Sequence, residues 1–281
     1  MIFDTHVHYD DDAFNADREE LLSGLSSRNI GHVVNIGVDI ATSKMTLELA
    51  ENYDNIYAAI GFHPSETKAM SESDIDWLRA HCYADPEEAQ SRYATAQEVG
   101  SELPRNQKVV AIGEIGLDYH WSESEEENQN QQHWFRRQIA MAKEVGLPIV
   151  VHSREAAADT MSIIREENAA DCGGIIHCYS YSAEQAKEYV AMGFYIGVGG
   201  VVTFKNARRL IETVEAIPLT SIVLETDCPY MAPEPYRGKR NDSTLLPYVV
   251  KKIAELKNIS EEEVVATTER NAIKVYNINH K

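Results

Sequence analysis

The 281-residue sequence predicts an α/β protein whose parallel strands close into a (β/α)8 TIM barrel. Short apolar, β-branched segments recur eight times along the chain, and an amphipathic helical pattern follows each one. The length also matches the roughly 250 residues that such a barrel takes. Strands are expected at 2–8, 31–38, 56–61, 109–115, 148–152, 174–178, 194–198 and 222–226. Their nearly unbroken apolar character suits strands covered on both faces. Helices are expected at 17–28, 42–51, 73–81, 125–145, 156–167, 183–191, 207–215 and 244–256, with an additional C-terminal helix at 261–276. Ser260 ahead of Glu261, Glu262 and Glu263 reads as a cap with an acidic first turn. The alternation carries no internal repeat and no low-complexity tract, so residues 1–281 are expected to form one domain. The polar stretch 84–107 breaks the rhythm between the third helix and the fourth strand. It is expected to be a surface insertion, partly helical, with a lid as the functional alternative. The acidic run 122–130 reads as a solvated loop and helix start.

Composition narrows the function classes. At 43% hydrophobic and 25% charged residues, the chain has the make-up of a soluble globular protein. No apolar run approaches the roughly 18 residues of a membrane span. Residues 1–6 carry acid and histidine where a signal peptide would carry a basic head, so none is expected. Cys82, Cys172, Cys178 and Cys228 form no CxxC pair, as expected for reduced thiols in the cytoplasm. A net charge of −19 repels polyanions at long range and counts against a nonspecific coat for nucleic acid. It leaves open an enzyme that meets phosphate at a local cationic centre, which bound divalent metals would supply. Nothing in the sequence implies an obligate protein partner.

The chemistry gathers at the strand ends. His6 and His8 lie two apart on the first strand, in one phase with Asp4, so a period of two turns both imidazoles to one face. His63 ends the third strand, Glu114 the fourth, His152 the fifth, His177 the sixth and Asp227 the eighth. In a barrel, all these ends open onto one mouth. Burying so many polar groups without partners would cost roughly 1–3 kcal/mol each, and cations would satisfy them together. Imidazole with carboxylate suits zinc, manganese, iron or nickel, while magnesium prefers more oxygen, so the sequence leaves the metal open. Seven candidate ligands exceed the three or four of one open catalytic site, and two divalent ions with Glu114 between them are the economical reading.

At these residues the sequence resembles the TatD family of metal-dependent hydrolases, relatives of the amidohydrolase barrels. The resemblance lies in DTHVH at 4–8, GFHP at 61–64, GEIGLDY at 113–119, LPIVVHSR at 147–154, HCYS at 177–180, GVGGVVTF at 197–204, ETDCPYMAP at 225–233 and RGKRN at 237–241. It implies that His6, His8 and Asp227 bind a first metal, that Glu114 bridges, and that His152 and His177 hold a second. It also implies substrate-side or supporting roles for His63 and Asp118. The activity implied is hydrolysis of phosphodiester bonds, commonly exonuclease-like action on DNA. The alternative is hydrolysis of a small ester, lactone or amide in the same barrel. A binding protein that has lost catalysis is disfavoured, because the implied ligand set is complete.

On that reading a water held between two ions attacks phosphorus in line, with Asp227 as the group that orients or deprotonates it. Arg237, in a cationic RGKR segment after the eighth strand, is expected to overhang the mouth and clamp phosphate, and Arg154 is a further phosphate candidate. Single strands or ends of DNA, or another phosphodiester, are the expected partners. Cys178 and Cys228 are out of phase with the ligands and are expected to face away into apolar packing. Glu225, in phase with Asp227, is either a structural carboxylate or a group that orients a ligand histidine.

Overall fold

The computed structural model describes residues 1–94 and 103–278. Eight parallel strands pair in chain order: β1 (Ile2–Val7), β2 (Ile30–Ile36), β3 (Ile56–Ile60), β4 (Val109–Asp118), β5 (Ile149–Arg154), β6 (Gly174–Ile176), β7 (Tyr195–Val198) and β8 (Ile222–Leu224). A parallel bridge between Val7 and Cys228 brings the two edges together, and the Asp227 N–H donates to the His6 carbonyl at 2.9 Å. The result is the expected barrel. Between the strands run α1 (Arg18–Gly24), α2 (Ile40–Asn52), α3 (Glu72–His81), α4 (Pro86–Ala94), α5 (Glu125–Val145), α6 (Ala157–Glu166), α7 (Ala183–Ala191), α8 (Arg208–Ala216) and α9 (Leu246–Lys257), with α10 (Glu261–Val275) as the extra C-terminal helix.

The helix ends follow from capping chemistry. Asp39 and Thr42 form a reciprocal capping box that opens α2. Ser124 accepts from the Glu127 N–H ahead of three glutamates, so the acidic run starts α5, and Gly146 in the left-handed region ends that helix. Ser260 caps α10 as expected. The first helix is shorter than its pattern: it stops at Gly24, and Ser26–Arg28 tighten into a 3-10 turn in which the Ser27 hydroxyl bonds the Gly24 carbonyl.

Two apolar layers hold the barrel. The larger packs outward strand residues such as Val33, Ile60, Ile112 and Val151 against Leu22, Leu78, Phe135 and Ile253 of the helices. The smaller joins Phe3, Val34, Ala59, Val110, Val150, Ile175 and Val223, and Tyr276 and Ile278 stopper it from the chain's end. Strand β4 continues beyond its expected end at 115, pairing Gly116, Leu117 and Asp118 with His152, Ser153 and Arg154. Gly116 permits this: it sits at φ 144°, and a Cβ there would lie 2.0 Å from the His152 carbonyl oxygen.

The 84–107 stretch is helical in its first part, as α4, and residues 95–102 lie outside the described residues. Its base is closed by an antiparallel bridge between Tyr83 and Arg105. Because α4 follows α3 and Leu103 to Gln107 lead into β4, the described residues of the stretch belong to the barrel end opposite the mouth, and none of them lines the cavity there. The placement of these described residues favours the surface insertion over the lid.

Candidate metal centre

Strand geometry delivers the expected groups to one place, with one correction at its first element. The β1 register shifts between Asp4 and Val7, which takes Asp4 out of phase with the histidines. Asp4 instead accepts from the Thr226 hydroxyl at 2.8 Å and the Ser243 hydroxyl at 2.7 Å, deep below the mouth. His63 caps a 3-10 turn just after β3, Glu114 and His152 stand within β4 and β5, and His177 follows β6 directly. Asp227 lies beyond β8 at φ 57°, a left-handed conformation that aspartate tolerates better than most residues.

Glu114 is the centre of the arrangement, buried and facing both ways. Its Oε2 lies 3.3 Å from His6 Nε2 and 3.8 Å from His8 Nε2. Its Oε1 lies 2.6 Å from His152 Nδ1, 3.7 Å from His177 Nε2 and 4.0 Å from His63 Nε2. Asp227 Oδ1 completes the first half, 3.5 Å from His8 Nε2 and 3.8 Å from the Nε2 atoms of both His6 and His177. Outer partners fix the rings. His8 Nδ1 donates to the Ile36 carbonyl at 3.0 Å, and His177 Nδ1 donates to Glu225 Oε2 at 3.2 Å. Each bond leaves Nε2 as the free nitrogen facing the carboxylates.

Glu225 could itself share an ion with His6 and His177 by distance. Its carboxylate is already engaged, however, since Oε1 accepts the Cys178 N–H at 2.7 Å while Oε2 takes His177. Orienting His177 is therefore its role. Gly197 makes room for it, because a Cβ there would lie 2.2 Å from Glu225 Oε2.

The donor set fits divalent metal. Two imidazole nitrogens sharing a tetrahedral ion at about 2.0–2.1 Å stand about 3.3 Å apart, and the Nε2 atoms of His6 and His8 stand 3.1 Å apart. The His6 and His177 rings stack with centroids 3.5 Å apart. Without an ion, burial and then the His177 charge lower the His6 pKa. Burial also opposes charge on His8, His152 and His177, yet the facing carboxylates raise each to about 9. Burial pushes Glu114 and Asp227 toward the neutral form, but the surrounding imidazoliums prevail and lower both. The site is thus a cage of alternating sign in which protons stand where metal would.

The other expected residues divide. Asp118 is buried with Oδ2 3.3 Å from His152 Nε2, off the line of a hydrogen bond but close enough to hold the ring electrostatically. His63 accepts the Ser65 N–H at Nδ1, which leaves its ring proton on Nε2, facing the mouth. Burial and the charge of His152 lower its pKa to about 4. Arg154 lines the mouth. Arg237 does not: its guanidinium lies 4.4 Å from the Phe204 ring centre, outside both lobes of the cavity, and neighbouring Arg240 pairs with Asp17. Cys228 is buried as expected, but Cys178 is not turned away. Strand β6 ends at Ile176, and Cys178 at φ 44° swings into the cavity wall with its sulfur grouped beside His177 and Asp227. The strand-phase argument failed there because the strand had already stopped.

The mouth has two lobes that meet at the carboxylates. The larger, about 820 Å³, is bounded by Asp118, Trp121, Arg154, Cys178 and Met231. The smaller, about 500 Å³, is bounded by His8, Asp10, Asp11, Asp12 and Met45.

Residues 3–277 match the family described as TatD related DNase. The chain belongs to the TatD family. Among its relatives, the uncharacterized metal-dependent hydrolase YabD of Bacillus subtilis is 42% identical over 279 residues, covering 99% of this chain and 100% of that one. The uncharacterized metal-dependent hydrolase YcfH of Escherichia coli is 31% identical over 282 residues, covering 99% and 97%. The crystal structure of YJJV, a TatD homologue from Escherichia coli, superposes with a TM-score of 0.82 at 28% identity, covering 99% and 98% of the two chains. This TatD-family chain is accordingly a metal-dependent hydrolase, with several groups of residues able to hold metal. No helix among its described residues is long and apolar enough to cross a membrane.

Proposed function

We propose that this TatD-family hydrolase is a phosphodiesterase that shortens single-stranded DNA from an end, using two divalent ions. The observation that carries the reading is Glu114, whose two oxygens face separate groups of histidines at 3.3 Å and 2.6 Å. His6, His8 and Asp227 would hold the first ion, and His152 and His177 the second, with Glu114 common to both. Bound there, divalent ions supply a water of lowered pKa and positive charge against the phosphoryl oxygens.

The chain's own groups do the rest. Asp227, kept ionised by the imidazoliums around it, orients the attacking water and accepts its proton at Oδ1. A bond from the water oxygen to phosphorus forms as the opposite phosphorus–oxygen bond breaks, and the leaving oxygen departs with its part of the strand and takes a proton from solvent. His63 stays neutral at ordinary pH and presents its Nε2–H to a phosphate oxygen. Asp118 keeps the His152 ring from turning, and Arg154 offers a guanidinium at the mouth. Short, unpaired ends suit a chain of net charge −19 better than long duplex, because fewer phosphates lie within its field.

The test is end-labelled single-stranded DNA with metal-reconstituted protein and with Glu114→Gln. Progressive shortening by the wild type, lost in the variant, is expected. A wild type that leaves the strand intact, or a variant that cuts as well, overturns the proposal.

A further inference from the structure

Trp121 is the most exposed large hydrophobic side chain among the described residues. It is 68% exposed, although tryptophan is the largest apolar-bodied side chain. It lies three residues beyond the end of β4, the strand that carries Glu114, and forms part of the wall of the larger lobe. Arg154, at the end of β5, places its guanidinium 5.5 Å from the indole centre. The two spring from paired strand ends: Asp118 is in register with Arg154, and the Tyr119 N–H donates to the Arg154 carbonyl at 2.9 Å. The His120 ring meets the indole edge-on at 4.6 Å and is itself tied to Glu155 at 2.7 Å. The indole is thereby braced on one side and open toward the lobe.

Charge points the same way. Arg136, Arg137 and Arg240 each sit on a carboxylate, whereas Arg154 pairs with none among the described residues. The smaller lobe is walled by Asp10, Asp11 and Asp12, and Tyr230, whose hydroxyl donates to Asp11 at 3.1 Å, stands between the two lobes. A phosphate chain is repelled on that side and attracted on the other. An aromatic face beside an unpaired cation is the chemistry that binds an unpaired nucleotide.

We infer that Trp121, braced by Arg154, is the stacking platform for the terminal nucleobase of the strand, so that the enzyme reads the presence of a base next to the bond it cuts. This rests on the phosphodiesterase reading above. The larger lobe, at about 820 Å³, lies near the top of the roughly 300–1,000 Å³ range of small-molecule sites and has room for a nucleotide with its phosphate.

The experiment compares a deoxyadenylate hexamer with the same hexamer made abasic at the end being shortened, using wild type, Trp121→Ala and Trp121→Phe. Stacking of one base is worth roughly five- to hundredfold. The wild type is expected to prefer the base-bearing end about tenfold in kcat/KM. The preference should collapse toward unity in Trp121→Ala and survive in part in Trp121→Phe. Because each preference is a ratio within one protein, loss of folded material does not move it. Binding gives a second readout. In Glu114→Gln the intact hexamer should quench the exposed indole, and adding Trp121→Phe should abolish the quench, since Trp134 is buried and Trp77 half-buried. A wild type without preference, or a Trp121→Ala that keeps it, overturns the inference while the phosphodiesterase reading stands. A wild type that cuts neither hexamer removes both.

Discussion

Glu225→Gln separates an orienting carboxylate from a merely structural one. Glu225 is 1% exposed, and its two oxygens accept from two different donors, His177 Nδ1 and the Cys178 N–H. Glutamine keeps the shape but has one acceptor oxygen, so its amide nitrogen must face one of those donors. One buried charge-assisted bond is lost and two donors are opposed, at a cost of about 2 kcal/mol. An unfolding entropy of about 2.1 cal/mol/K per residue over 281 residues is about 0.6 kcal/mol/K, so Tm of the metal-free protein falls by about 3 °C. The effect on metal should be larger. After burial, the charge of Glu225 is the leading influence on His177 and helps to raise it to about 9. Removing that charge makes His177 a poorer ligand, and loss of such an outer partner weakens binding about 10–100-fold. Chelator competition with zinc should show the weaker step falling on one equivalent, the one His177 shares with His152, while the other holds. Calorimetry in the metal-free state reports the Tm. If Tm drops by the stated amount but both equivalents bind as in the wild type, Glu225 serves the fold alone and the orienting role is refuted.

Gly197→Ala should reproduce that metal defect without touching a ligand, since its Cβ would lie 2.2 Å from Glu225 Oε2; full metal content with an unchanged circular dichroism spectrum would refute it. Metal uptake should expel protons, because His8, His152 and His177 are held at about 9 in the metal-free chain and must lose their protons to ligate. Apparent affinity therefore climbs as pH rises from about 6 to about 9, and titration calorimetry in buffers of different ionisation enthalpy should show the release; a pH-independent affinity contradicts it. Arg237→Ala should leave kcat/KM on oligonucleotides within about twofold, because its guanidinium rests on Phe204 outside the cavity, and a tenfold loss would return it to the substrate. For a chain of net charge −19, kcat/KM on single-stranded DNA at low ionic strength should rise as salt is added, since screening over about 10 Å at 0.1 M relieves repulsion; a steep fall would show that local cations govern encounter.

The parts legible in the sequence were those with a period. Eight apolar strands and the interleaved helices follow from alternation, and the gathering of the candidate ligands follows from where each strand stops. His63, Glu114, His152 and Asp227 could be assigned to one mouth because parallel strands in a barrel share a polarity. What stayed hidden depended on departures from period. The register shift in β1 turns Asp4 into a partner of Thr226 and Ser243, more than 220 positions away in the chain, as no local pattern could reveal. The early end of β6 lets Cys178 swing into the wall. Trp121 gave one signal that could have been used: an aromatic residue just past the end of the strand that carries Glu114, directly ahead of the polar run from Ser122 to Gln132. Arg237 shows the reverse error. Proximity in sequence to β8 was read as proximity to the mouth, but aromatic stacking on Phe204 draws its side chain elsewhere.

Net charge and local charge have opposite signs in this chain, and the barrel explains why both persist. The surplus of acid is spread over helix starts such as those of α5 and α10, where Glu125, Glu126 and Glu261 to Glu263 complement the positive ends of the helix dipoles and face water. At the centre of the mouth Glu114, Asp118, Asp227 and Glu225 each face imidazole, while Asp10, Asp11 and Asp12 stand apart in the wall of the smaller lobe. Metal held there would add positive charge beside carboxylates already engaged with imidazole, and Arg154 adds another cation on the side of the larger lobe. On the proposed reading, a phosphate within a few ångströms would then meet a cationic centre in a low dielectric, where attraction far exceeds the screened repulsion of distant surface acids. The same argument limits the substrate. On the proposed phosphodiesterase reading, each further phosphate would extend beyond the local centre into the acidic field, so affinity should stop growing after the first nucleotides, as the proposed action at strand ends requires.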